Sequence, residues 1–287
     1  MQKLTHIFKL NLSVLVIFFS FFCGLAYFSV QNFGFIGAFY SLEEVLDVFN
    51  KEKHRDNPSV IKLLRLYDAL VEDVGNISLY ENNNPFIAIE GNHKTRRFII
   101  ARQLARALKA TNLRNPPEFM NFLKYDFKEL ETRRAYYSLA LYANALEARR
   151  LLHEKPVVTA GYWLDIAAFS LAKKYPLAFP ENSSEMMWPS DLLAPDIIFY
   201  INSPPPETTL QFNMASTKPP NPLKPRLVDV YRSWTYPRVV ELSGYIFSYN
   251  EMFTEMFRHI NFIKQSKFKQ YLKDNRKTLK KSYTGRK

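Results

Sequence analysis

Phe86-Ile87-Ala88-Ile89-Glu90-Gly91, followed by Asn92-His93-Lys94-Thr95-Arg96-Arg97-Phe98, is the stretch on which the fold turns. A short apolar run ends at a glycine, and the residues after it carry Ile100, Leu104 and Leu108 at helical spacing. Strand, glycine and helix N-terminus in that order form the setting in which backbone N–H groups and the helix dipole hold phosphate. A complete phosphate loop reads G-x-x-x-x-G-K-[ST]. In that register Arg96 stands at the second glycine, Arg97 at the lysine and Phe98 at the hydroxyl residue. Arginine still neutralises phosphate. Phenylalanine, however, offers magnesium no oxygen, and a side chain at the glycine position obstructs the tight turn. Arg96 and Arg97 therefore have two readings. They bind an anion at the helix start, or they are solvated or paired with a neighbouring carboxylate, since cations sit unfavourably at that end of the dipole.

Three further short runs lie outward from this one: Pro156 to Thr159, Ile197 to Ile201 and Arg238 to Leu242, with helix-patterned sequence between most of them. Buried strands alternating with helices predict an α/β fold with a mostly parallel sheet. On the N-terminal side, Leu42 to Val74 has apolar residues at helical spacing interrupted at Asn57-Pro58, which predicts two short helices. Asn82 to Pro85 reads as a turn, and the Pro-rich section from Ser203 to Pro225 as a loop or irregular lid. The expected organisation is a hydrophobic anchor or targeting segment over 1–42 and a helical linker region over 43–84. The folded domain follows over 85–263, and a basic tail over 264–287.

With 287 residues, 47% hydrophobic and 15% aromatic, and 8 Gly against 17 Pro, the chain is not collagen, a small disulfide scaffold or a disordered polymer. Its net charge of +12 is uneven: from Lys264 onward ten Lys and Arg face one acid, Asp274. That tail reads either as a solvated extension or as an adhesive for an anionic surface, with lipid preferred over RNA. Leu10 to Val30 is uncharged and long enough to cross a bilayer, with Lys3 and Lys9 before it. This predicts a single-pass N-terminal transmembrane helix in a membrane-bound protein. The alternatives are a signal peptide cleaved near Gly24-Leu25-Ala26 or an import segment. Cys23, the single cysteine, reads as a helix-packing or lipid-facing residue. The sequons at Asn76 and Asn182 matter only if the domain is lumenal, and no histidine is spaced with His93 as a metal ligand, so no metal site is expected.

Four segments together resemble one family. Phe86 to Gly91 resembles the opening of the thymidylate kinase family, and three others are similar to its mitochondrial UMP-CMP kinase 2 branch. These are Thr132-Arg133-Arg134-Ala135-Tyr136-Tyr137-Ser138-Leu139, Pro156-Val157-Val158-Thr159-Ala160-Gly161-Tyr162-Trp163 and Trp188 to Asp196. The resemblance implies a P-loop nucleoside monophosphate kinase-like fold, with a parallel sheet, helices on both faces, a donor loop, an acceptor site and a lid. It also implies a mitochondrial location, with the endomembrane system as the alternative. Gly91, Thr95, Arg96, Arg97, Arg134, Tyr137 and Tyr162 are then the vestigial nucleotide-binding residues. Tyr137 would stack on an acceptor base and Arg134 would face the acceptor pocket. Packing is the competing reading for both, because Tyr137, Leu141 and Ala145 form one stripe. Tyr162 and Trp163 fall where open sheets place ligands, with core packing preferred for Trp163.

The departures fall on the chemistry. Ala160 and Gly161 replace the family's Asp-Arg pair, His93 replaces an acceptor-side Asp, and the lid offers only Lys218, Lys224 and Arg226. Phosphoryl transfer rests on positioned charge, so these losses predict a membrane-anchored, catalytically impaired kinase-like module with no catalytic residues and weak or absent nucleotide binding. The alternative is an active kinase for pyrimidine nucleoside monophosphates that uses Arg97, ATP and magnesium. The sequence names no protein partner.

Overall fold

The computed structural model describes residues 37–75, 84–180, 183–203, 223–244 and 248–284. The expected membrane run at 10–30, Cys23, both sequon asparagines and residues 204–222 of the expected lid lie outside the described residues. The expectation of a fold that includes a transmembrane helix is corrected. Among the described residues no helix is long and apolar enough to cross a membrane.

Five described strands form one parallel sheet: β1 (Phe86–Gly91), β2 (Thr111–Leu113), β3 (Val157–Ala160), β4 (Ile197–Asn202) and β5 (Val239–Ser243), in the spatial order β2-β3-β1-β4-β5. Before the sheet come α1 (Leu42–Asn50), the single turn α2 (Glu52–Arg55) and α3 (Pro58–Val74). Between β1 and β3 lie α4 (Lys94–Leu108), the short α5 (Glu118–Asn121) and α6 (Leu130–Leu151). Next come α7 (Trp163–Lys174) before β4, α8 (Leu223–Ser233) before β5, and α9 (Tyr249–Thr284).

Alternation along the strands divides the core in two, as the period of a pleated strand requires. Phe86, Ala88, Val157, Ile198 and Tyr200 point to a face covered by α6, α7 and α8. Ile87, Ile89, Val158, Ile197, Phe199 and Ile201 point to the other, covered by Ile100 and Leu104 of α4 and by Met252, Met256 and Ile260 of α9. Because both faces are buried, the strands read as unbroken apolar runs.

The region expected as a helical linker packs into the first of these cores. Ser41 caps α1 by accepting the Glu44 N–H (3.1 Å), and Asn57 caps α3 by accepting the Ser59 N–H (2.9 Å) with Pro58 at the first helical position. Val45, Val48 and Phe49 of α1, and Val60, Leu63 and Tyr67 of α3, are buried with α6. Phe49 meets Phe127 edge-on, and Phe127 stacks on Tyr136 of α6 at 5.0 Å. These helices therefore belong to the domain.

The sheet is pinned at its N-terminal edge. Asp196 donates its N–H to the Phe86 carbonyl (2.8 Å), and its carboxylate accepts the Phe86 N–H (2.7 Å) and the Lys267 ammonium (2.8 Å). Lys267 belongs to the segment expected as a tail, yet α9 runs through it as continuous helix to Thr284.

At the opposite, C-terminal edge, Gly91 passes so close to β4 that an added Cβ would lie 2.5 Å from the Ile201 carbonyl oxygen. Backbone must then move. Gly91→Ala is expected to lower stability by about 1–3 kcal/mol, the range for overpacking. Urea denaturation checks this, with an unshifted midpoint as the contrary result.

Candidate functional site

The chain leaves β1 towards β2 and β3 on one side and later crosses to β4 and β5 on the other. The C-terminal end of β1 therefore faces the crevice where open α/β sheets receive ligands. A cleft of about 500 Å³ lies there, bordered by Gly91, Lys94, Arg97 and Phe98 on one side and by Arg134, Tyr137 and Tyr162 on the other. Ile166, Phe169 and Leu227 supply apolar wall, and Asp165 supplies a carboxylate.

The turn out of β1 is short. Asn92 is spent on a clip to the end of β4: its Oδ1 accepts the Ser203 N–H (2.9 Å) and its Nδ2 donates to the Ser203 carbonyl (2.9 Å). His93 caps α4, its Nδ1 accepting the Arg96 N–H (3.3 Å), and the Arg97 N–H donates to the His93 carbonyl (3.1 Å). Helix therefore begins at Lys94, within the stretch that a phosphate loop would keep open.

Arg97 lies back across the turn, its Nη1 donating at long range to the Gly91 carbonyl (3.5 Å). Its Nη1 donates to Asp165 Oδ1 at 2.6 Å, and its guanidinium lies over Gly161, where an added Cβ would come within 3.3 Å of Cζ. Gly161 has φ +79°, so the position resists a side chain on backbone grounds as well. An arginine at the cleft and an arginine at position 161 would thus compete for one space.

Beneath this pair lies Glu90, buried in β1. Its carboxylate accepts the Tyr231 hydroxyl from α8 (2.6 Å) and the Tyr162 N–H (3.2 Å). Burial, with the Asp165 charge adding to it, pushes the Glu90 carboxyl up to about 8, against the pull of Tyr231, Arg97 and the Tyr162 amide. Burial and Glu90 hold the Tyr231 phenol well above its ordinary range. Tyr231 also stacks on Tyr200 at 3.9 Å, which fixes α8 over the sheet.

Five of the seven residues expected from sequence, Gly91, Arg97, Arg134, Tyr137 and Tyr162, border the cleft. Tyr137 is half-buried, edge-on to Tyr136, and Arg134 is half-buried with burial lowering its pKa. Tyr162 touches the cleft but is committed to the core: its hydroxyl donates to the Leu193 carbonyl (3.0 Å), and its ring packs against Phe86 and Trp188. Thr95 lines a separate hollow with Arg102 and Arg114, and Arg96 acts electrostatically on Tyr249 of α9. Of the lid cations, Arg226 is tied to the Tyr175 carbonyl (2.7 Å) and lies over Phe179, while Lys218 falls outside the described residues.

The sequence reading overlooked Asp165 and the role of Glu90. A lone acid in an apolar strand and a lone acid in the first turn of an apolar helix were the available signals. The residues present do not fit a magnesium triphosphate. Phe98 carries no oxygen, Asp165 is paired with Arg97, and Glu90 is buried and bonded.

Asp165→Asn strands the Arg97 charge, at a cost of about 1–3 kcal/mol. The figure sits below that for a fully buried pair because the Asp165 side chain is 38% exposed. The double variant Arg97→Met, Asp165→Leu should recover most of that loss in urea denaturation, and no recovery would contradict the ion-pair account. For Glu90, a folded-state value raised from 4.5 to about 8 means that its contribution to stability is complete below about 4.5 and is lost as pH rises through about 8. The parent's urea midpoint should therefore fall between about pH 5 and 8, whereas Glu90→Gln should remove that fall.

No family model matches the chain, and no curated protein matches it. Among solved structures, the thymidylate kinase from Candida albicans, described in terms of its broad substrate specificity and a novel structural element, covers 62% of this chain and 92% of its own. It does so at 13% identity and a TM-score of 0.44.

Proposed function

We propose that the chain is a nucleoside monophosphate kinase-like binding module that keeps an acceptor-side cleft and does not transfer phosphate. One observation carries this reading. Helix α4 starts only two residues after β1, and the arginine at its first turn is held in an ion pair with Asp165. A loop that closes early leaves few free N–H groups for a polyphosphate, and a neutralised cation contributes little to a developing charge. On the other wall, Arg134 and Tyr137 border an open hollow with Phe169, an anion-binding head and a stacking surface. The four sequence segments that resemble the thymidylate kinase family supply the choice of ligand, a pyrimidine nucleoside monophosphate.

A coupled assay of the full chain with ATP, magnesium and CMP, UMP, dCMP or dTMP is expected to show no turnover. Thermal denaturation should show stabilisation by at least one of these monophosphates. At ten times its dissociation constant the ligand adds about 1.4 kcal/mol, a shift of a few degrees. Arg134→Ala and Tyr137→Ala should each remove that shift, while sub-millimolar MgATP should produce none. Turnover that disappears in Arg97→Ala would establish the active-kinase reading in its place.

A further inference from the structure

At the edge of the sheet opposite the cleft, an arginine forms no salt bridge among the described residues. Arg149 lies in the last turns of α6, and its Nε is buried with no hydrogen-bond partner among the described residues. The acids nearby are engaged elsewhere. Glu147 pairs with Arg150 (2.7 Å), and Asp191 accepts the Tyr142 hydroxyl on Oδ1 (2.8 Å) and the Leu42 N–H on Oδ2 (2.7 Å). What the Arg149 charge does act on is the hydroxyl groups of Tyr67 and Tyr162, which are neutral. A buried Nε donor left in this way carries a desolvation cost that no hydrogen bond among the described residues offsets.

Arg149 lies in the wall of a groove of about 500 Å³ formed with Met186, Met187, Trp188, Leu193 and Tyr236. The groove adjoins a second hollow of about 590 Å³ that shares Met186 and Met187 and runs on to Phe179. Met187 and Tyr236 are 63% and 66% exposed, a large apolar display for side chains of this kind. The floor is held firmly: Trp188 donates to the Leu192 carbonyl (3.0 Å) and stacks on Tyr162. The rim is methionine, which adapts to the shape of what enters.

We propose that this groove docks a short extended segment of a partner protein, one that carries a carboxylate between two apolar side chains. The planar guanidinium of Arg149 takes the carboxylate through paired hydrogen bonds, and the two methionine-rimmed hollows take the flanking side chains. Charge complementarity selects the acid. Two adjoining hollows that share one rim select an extended chain.

The test uses the full chain carrying ¹³C-methyl methionine, of which there are seven residues. The probes are the peptides acetyl-Leu-Glu-Phe-amide and acetyl-Leu-Gln-Phe-amide, with decanoate as a non-peptide carboxylate. The Met186 and Met187 methyl signals are expected to move saturably with the Glu peptide. Affinity should be at least about tenfold weaker for the Gln peptide and for Arg149→Gln, the change of one well-made charged hydrogen bond. Met187→Lys, at an exposed position that does not support the core, should also abolish the shift, and it decides the matter if Arg149→Gln fails to fold. Absence of movement, equal affinity for the two peptides or tighter binding of decanoate would each overturn the proposal.

Discussion

A guanidinium buried at the first turn of a helix must find an anion, and in this chain the need is met by Asp165, one strand away. Arg97 sits at the unfavourable end of the α4 dipole, so its charge gains nothing from the helix and must be neutralised by a side chain. Other features follow from that pairing. A side chain at position 161 would press on the guanidinium that lies over it and would be strained at φ +79°. Asp165 is drawn to the edge of the cleft, where its charge helps to keep the Glu90 carboxyl protonated. Glu90 in turn receives the Tyr231 hydroxyl and so fastens α8 to the centre of the sheet. The cleft floor is thus one connected polar network, and its members are specified together.

The sheet was easy to read from the sequence because both its faces are buried. Four of the five described strands coincide with apolar runs, and their boundaries shift by only one or two residues. β2 was missed for a physical reason: Thr111–Leu113 is a half-buried three-residue edge strand with an asparagine at its centre, so it carries no hydrophobic pattern. The site was less legible. Periodicity located α4 but not its start, because the cap is His93, outside the usual Ser, Thr, Asp and Asn set. Pairing of Arg97 with a carboxylate was one of two readings of its position. Its partner could not be named, since Asp165 is 68 residues away and joined to it only by the parallel crossover. Glycine at 161 looked like a loss, and the packing of Arg97 over it gives that glycine a structural use.

The two edges of the sheet differ in how their charges are handled. At the C-terminal edge Arg97 has Asp165, while at the N-terminal edge Lys267 is balanced by Asp196 and the Arg149 Nε has no hydrogen-bond partner among the described residues. Buried charges are normally paired in folded proteins, so a half-buried guanidinium with an unpartnered Nε in the wall of a groove is informative in a way that the +12 of the whole chain is not.

The placement of α9 also bears on how the chain comes into being on the ribosome. Ile87, Ile89 and Phe199 rest on a face that is half roofed by α4 and half by Met252, Met256 and Ile260, the latter lying some 160 residues after the first of those strands. The tie from Lys267 to the Asn84 carbonyl spans 183 positions. At roughly 5–20 residues per second, β1 emerges about 10–35 s before the helix that completes its cover. During that interval a flat apolar surface with open strand edges is exposed to other nascent chains. Truncation before Met252 would make that transient exposure permanent.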